Sequence, residues 1–192
     1  MSLVNTPSGN RLHIGIFGKR NSGKSSLLNA ITGQEIALVS EVKGTTTDPV
    51  SKAMEIHPIG PCLLIDTAGF DDTGDLGNMR IEKTKAVLDK TDVAVVVFSD
   101  MQMELETQWI AMLRQRKIPI LAVVNQVDRI EQVQEIKRQI EQRFSLTPLL
   151  VSAKEKTGIS QMKHEILRLM PPDFEAQSLT GSLVQPEDVV LL

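Results

Sequence analysis

The stretch GKRNSGKSS, residues 18–26, constrains the fold more than any other part of the chain. Gly18, Gly23, Lys24 and Ser25 stand at the spacing G-x-x-x-x-G-K-S, in which backbone amides converge on a polyphosphate. The apolar run RLHIGIF, residues 11–17, comes directly before it, and a helical run over 24–32 comes directly after it. Gly33 follows that helix where a left-handed cap residue is wanted. Strand, glycine loop and helix in this order aim a helix N-terminus at an anion, which turns a spacing into a mechanism.

The rest of the chain repeats the alternation of short apolar and longer amphipathic runs, the pattern of a mostly parallel sheet covered on both faces. Strands are expected at 50–56, 61–66, 92–98, 118–124 and 148–151, and helices at 78–90, 103–116, 131–143 and 158–170, the last stopped by Pro171 and Pro172. HPIGP, between 50–56 and 61–66, is too short to hold a crossover helix, so those two strands must be antiparallel neighbours. The remaining connections carry helices and are expected to be right-handed parallel crossovers. The fold class is therefore α/β: a six-stranded, mostly parallel sheet with one antiparallel strand and helices on both faces. The polar, Thr-rich segment 34–49 reads as a mobile functional loop. One domain over 1–170 is expected, and PPDFEAQSLTGSLVQPED then reads as a linker, with the closing VVLL as the start of a truncated following domain within 171–192.

A formal charge of −3, with Lys and Arg scattered along the chain, offers no basic field for nucleic acid, so no nucleic-acid partner is expected. The single cysteine, Cys62, excludes an internal disulfide and falls far short of an iron–sulfur ligand set. No apolar run approaches the ~20 residues of a spanning helix and the opening has no signal-peptide core, so a cytoplasmic protein with no membrane partner is expected.

Chemistry concentrates at the strand ends. Amides of Asn21, Ser22, Gly23, Lys24 and Ser25, with Ser26 in the same helical turn, are expected to hold the α- and β-phosphates; Lys24 reaches the β- and γ-phosphates and Ser25 ligates Mg2+. LLIDTAGF ends an apolar strand in Asp66, a carboxylate placed for Mg2+, with the Gly69 amide placed for the γ-phosphate. ILAVVNQVD sets Asn125 and Asp128 after one strand, and LLVSAKE sets Ser152, Ala153 and Lys154 after another. An aspartate accepts from both the ring N–H and the exocyclic amine of guanine, and the Ala153 amide donates to its oxygen. Adenine would leave Asp128 unpaired, so the ligand is expected to be GTP or GDP.

Taken together, these motifs resemble the G domain of the translation-factor-related, Ras-like P-loop GTPases, over about Ile14 to Lys154. That family carries a lysine, whose stem packs over the base and phosphate loop, where this chain has Gln126. GTTTDP, Gly44 to Pro49, and Asn21 resemble the potassium-linked, TrmE/Era-like bacterial branch of tRNA-modifying and ribosome-assembly GTPases. The branch implies K+ held between Asn21 and the threonine loop, Thr45 and Thr46, where it would act on phosphate charge as an arginine finger does. On spacing alone, a turn residue is the alternative reading of Asn21. Thr46 is expected to reach Mg2+ only when a γ-phosphate completes the shell, so that Lys24, Asn21, Thr46 and Gly69 form the catalytic set. Phe70 stands where Ras-like proteins have a water-orienting glutamine; slow unassisted turnover is expected, with Asp71 and Asp72 as weak candidates to help.

NTPSGNRLHIGIFGKRNSGKSSLLNA, EVKGTTTDPVSKAMEI and LIDTAGFDDTGDLG further resemble the N-terminal GTPase domain of the HydF family, scaffold proteins of [FeFe]-hydrogenase maturation. This resemblance implies a hydrogenase-maturation GTPase switch whose partners are the remaining domains of its parent, maturation enzymes and hydrogenase, and a second copy in a homodimer. The alternatives are a GTPase module of a tRNA-modification or ribosome-assembly protein, or a nucleotide-binding switch with negligible hydrolysis.

Overall fold

Period-two alternation in the strands decides the layering. The computed structural model describes residues 11–33, 50–67, 77–172 and 174, without the side chains of residues 50 and 77–81. Six strands, β1 (Leu12–Gly18), β2 (Val50–Ile56), β3 (Gly60–Asp66), β4 (Val93–Phe98), β5 (Ile120–Val124) and β6 (Leu149–Leu150), form one sheet in the order β2-β3-β1-β4-β5-β6. Five helices accompany them among the described residues: α1 (Lys24–Thr32), α2 (Gly77–Leu88), α3 (Glu104–Gln115), α4 (Val133–Phe144) and α5 (Ile159–Leu169). In β4, Val93, Val95 and Val97 point into one core while Ala94, Val96 and Phe98 point into the other. The first core is closed by Leu27, Leu28 and Ile31 of α1 with Ile159, Met162 and Ile166 of α5. The second is closed by Val87 and Leu88 of α2, Trp109, Ile110 and Leu113 of α3, and Ile136, Ile140 and Phe144 of α4. Strands buried on both faces explain why these runs are continuously apolar rather than alternating.

The expected α/β class and the antiparallel pair both hold. β2 and β3 pair antiparallel from Val50↔Asp66 to Ile56↔Gly60, and every other ladder is parallel. Gly33 caps α1 at φ 68°. Several boundaries shift by one or two residues, among them the start of β5, expected at 118 and found at Ile120, and the end of α2, expected at 90 and found at Leu88. The strand expected at 148–151 pairs only through Leu149 and Leu150, because the chain leaves the ladder at Val151, whose amide still bonds Val124 O at 2.9 Å. The helix expected from 131 begins at Val133, because 126–131 are taken up by turns whose amides, Arg129 and Ile130, bond back to Gln126 O. Beyond α5, Phe174 packs against the first core and its amide bonds Pro171 O at 3.0 Å. The loop expected at 34–49, residues 68–76 and the tail from 175 lie outside the described residues.

Cys62 is fully buried in β3, and burial, with Glu55 adding to it, pushes its thiol up to about 12. It is an inert core side chain.

Phe98 ends β4 fully buried, with its ring centroid 6.0 Å from that of Phe144 on α4. Phe98→Ala is expected to cost about 3–5 kcal/mol of unfolding free energy. Urea denaturation checks this, with the midpoint falling and the slope unchanged.

Candidate functional site

Gly18, Asp66, Asn125 and Ser152 stand at or just past the C-terminal ends of β1, β3, β5 and β6. In an open parallel sheet that edge is where ligands bind, because the loops leaving it diverge into a crevice.

The phosphate loop is shaped by two left-handed residues, Asn21 at φ 64° and Gly23 at φ 82°. Gly23 caps α1 without any side-chain hydrogen bond, which leaves the first-turn amides of the helix to a ligand. Only glycine serves at 23. Besides the positive φ, an added Cβ would lie 2.5 Å from Asn125 Nδ2 and 3.0 Å from Gln126 Nε2. Lys24 is buried; its Nζ donates to the carbonyls of Gly18 and of Lys19, the latter at 3.0 Å. Asn21, Ser25 and Ser26 are exposed at the mouth of the loop, and Ser22 is buried beneath it.

Asn125 ties this loop to the rest of the site. Its side chain, 1% exposed, donates from Nδ2 to Ser22 O at 3.0 Å and Gly23 O at 3.3 Å, and its Oδ1 accepts from the Ala153 amide at 3.2 Å. Gln126 adds a second tie, donating from Nε2 to Asn21 O at 3.0 Å. The position that the family resemblance fills with lysine thus still reaches the phosphate loop, through an amide.

Asp128 and Lys154 are exposed on the same edge. Ser152 Oγ donates to Asp128 Oδ1 at 2.7 Å and accepts from the Glu155 amide at 3.1 Å. That hydroxyl, helped by Lys154 and Arg129, holds Asp128 below the usual carboxylate range, so it stands ionised as an acceptor at neutral pH. Asp66 is buried at the end of β3, opposite Ile16 of β1. Thr67, next to it, fastens the following loop to β1 with its hydroxyl on Ile16 O at 2.7 Å.

The described site therefore brings together Asn21 to Ser26, Asp66, Asn125, Gln126, Asp128 and Ser152 to Lys154. Thr45, Thr46, Gly69, Phe70, Asp71 and Asp72 lie outside the described residues. The sequence reading missed Thr67 and the side chain of Lys19, which bonds Asp100 Oδ1 at 2.5 Å and approaches buried Glu106 at 3.7 Å. One signal was available: Glu106 is an acid on the stripe Met103, Ile110, Leu113 that α3 and its cap bury.

Asn125→Ala leaves the Ala153 amide and the Ser22 carbonyl without that partner. It is expected to lower stability by about 1–3 kcal/mol and to weaken GDP binding as well. Thermal unfolding with and without GDP checks both.

The 50S ribosome-binding GTPase family matches residues 13–126. Among curated relatives, GTPase Der from Wolinella succinogenes is 33% identical over 172 residues, covering 82% of this chain and 36% of its own length. The tRNA modification GTPase MnmE is 32% identical in Flavobacterium johnsoniae, covering 94% of this chain and 39% of the relative. In Bordetella petrii MnmE is 38% identical, covering 82% and 33%. The chain thus spans a little over a third of the length of such relatives. Among solved structures, Era in complex with MgGDPNP and a segment of 16S ribosomal RNA superposes with a TM-score of 0.67 at 24% identity, covering 92% of this chain and 59% of that one. An Aquifex aeolicus Era variant bound to GDP and aluminium fluoride gives 0.66 at 23%, covering 83% and 56%. At such identities the structures speak for the fold, and the sequence matches speak for the family. The chain belongs to the 50S ribosome-binding GTPase family, as a P-loop domain that binds guanine nucleotide and hydrolyses GTP.

Proposed function

We propose that this domain is a Mg2+-dependent, K+-stimulated GTP switch within a larger protein, and that it reads guanine through Asp128, the Ala153 amide expected to donate to the base being engaged by Asn125 Oδ1 in this structure. One observation carries the reading: Asn125 bonds the phosphate loop and the Ala153 amide at once, so that base recognition and phosphate grip are parts of one rigid pocket. On binding, phosphate oxygens replace the Gly18 and Lys19 carbonyls as acceptors for Lys24, exchanging neutral partners for charged ones. The amides at the start of α1 hold the α- and β-phosphates.

Ser25 and Asp66 are hard oxygen donors at the start of α1 and the end of β3, the donor chemistry Mg2+ takes alongside phosphate oxygens and water. Those two residues, with Thr46 in the γ-phosphate state, hold the ion, whose contribution is to neutralise charge on the β- and γ-phosphates. Asn21, exposed at the apex of the loop, supplies an amide oxygen for K+ together with Thr45 and Thr46. Gly69 touches the γ-phosphate, and engagement of both loops presents a partner with a surface that exists only in the GTP state. With Phe70 after Gly69, no side chain there orients water, and unassisted turnover is slow.

The named relatives favour a parent that works in tRNA modification or ribosome assembly. A second reading, hydrogenase maturation, is favoured by TTTDPV at 45–50 and GFDD at 69–72, the stretches that carry the HydF resemblance. The parent gene separates them. Beyond Leu192, an RNA-binding domain supports the first, and cluster-type Cys and His ligands support the second.

Asp128→Asn is expected to shift nucleotide preference from GTP toward xanthosine triphosphate by about 10²–10⁴-fold, read by competition binding. Unchanged GTP selectivity would remove Asp128 from the base site. GTP turnover is expected to run faster in potassium than in sodium at equal ionic strength, and Asn21→Ala to abolish the difference. Equal wild-type rates in the two salts would reduce Asn21 to a turn residue.

A further inference from the structure

Lys19 is the first residue of the phosphate loop after Gly18, a position at which the motif requires no particular side chain. Its backbone is nevertheless central, since its carbonyl accepts from the Ser22 amide at 3.1 Å and from Lys24 Nζ at 3.0 Å. Its side chain leaves the loop for the connection between β4 and α3. There Nζ donates to Asp100 Oδ1 and to Gln102 O, both at 2.5 Å, and lies 3.7 Å from Glu106 Oε1. Asp100 is itself fixed by the Gln102 amide at 2.8 Å.

Glu106 is the unexpected member of this group. It sits in the first turn of α3 with a side chain 1% exposed, and neither carboxylate oxygen has a hydrogen-bond partner among the described residues. A buried, unbonded carboxylate costs stability, and a leucine or methionine would fill the stripe better. Burial pushes Glu106 up to about 7; Asp100 and Glu104 push the same way, while its own amide and Lys19 draw it down. Those are the charged groups that face it from α3, from the connection before it and from the phosphate loop. The ammonium of Lys19 is its one cationic neighbour among them, so the function of the acid is to be sought in that lysine.

We propose that Glu106 is a positioning residue for nucleotide binding: with Asp100 it holds the Lys19 side chain against α3, and thereby fixes the backbone from which Ser22 and Lys24 are hung. This rests on the reading of residues 18–26 as the phosphate loop, and it assigns a role to residues that touch no ligand. The sign of the effect separates positioning from simple charge. Removing a carboxylate near an anionic ligand tightens binding if only charge matters; it loosens binding if the carboxylate holds the loop in shape.

The test is GDP affinity in Mg2+ by calorimetry for wild type, Glu106→Met, Lys19→Met, the double variant and Lys19→Arg, each compared at equal folded fraction. Glu106→Met is expected to weaken GDP binding about tenfold, Lys19→Met to do likewise, and the double variant to be no weaker than either single one. Lys19→Arg, which keeps the charge, is expected to stay within about twofold of wild type. Unchanged or tighter binding in Glu106→Met overturns the proposal, as does an equal loss whether residue 19 is lysine or methionine. Should Glu106→Met not fold, the Lys19 pair decides: wild-type affinity in Lys19→Met overturns the proposal, and loss in Lys19→Met with recovery in Lys19→Arg supports it. Failure of the wild type to bind GDP would overturn the site reading and this inference together.

Discussion

The side chain of Asn125 is the joint on which the site depends. It is almost fully excluded from water, and each of its polar atoms is spent on backbone of another segment: the carbonyls of Ser22 and Gly23 on one side, the amide of Ala153 on the other. In a medium of low dielectric such bonds are strong when made and costly when lost, so three segments far apart in sequence are held in one geometry. Gly23 is forced by the same joint, because any side chain there would collide with the Asn125 amide. The glycine loop after β1 and the loops after β5 and β6 are therefore parts of a single bonded network.

Charge in the site is balanced in layers. Lys24 lies on carbonyl oxygens, partners that a phosphate outcompetes because its bonds are charge-assisted. Lys19 lies among carboxylates of the neighbouring helix and of the connection that leads into it. Two lysines of one short loop thus take different partners, one its own loop's carbonyls and the other the carboxylates of Asp100 and Glu106. Asp128 is kept ionised by Ser152 from the adjoining loop, so its charge state is set by a neighbour of the same edge.

The sheet makes this possible by bringing the ends of β1, β3, β5 and β6 to one edge. Its two cores, one under α1 and α5 and the other under α2, α3 and α4, fix those ends from both faces. Rigid strand ends with diverging loops leave the chemistry to the loops, which is how one G-domain scaffold serves relatives that differ in what they act on.

Local chemistry determined what was legible without coordinates. The glycine spacing, the apolar period and the short HPIGP link are each contained in a few consecutive residues, so the phosphate loop, the α/β alternation and the antiparallel β2–β3 pair could be read directly. Helix α1 runs as expected because the glycines that cap it, Gly23 and Gly33, are local signals, and strand β2 keeps its expected span. Tertiary structure alone decided the rest. β6 shrinks to two residues because pairing with β5, not its own apolar run, limits it. Gln126 reaches Asn21, and Lys19 reaches Asp100 and Glu106, across separations of more than eighty residues. Contacts of that kind have no period and no spacing in the chain. They exist only because the parallel sheet order places β4 beside β1 and β5 beside β4, and so sets the loops that follow them against the phosphate loop.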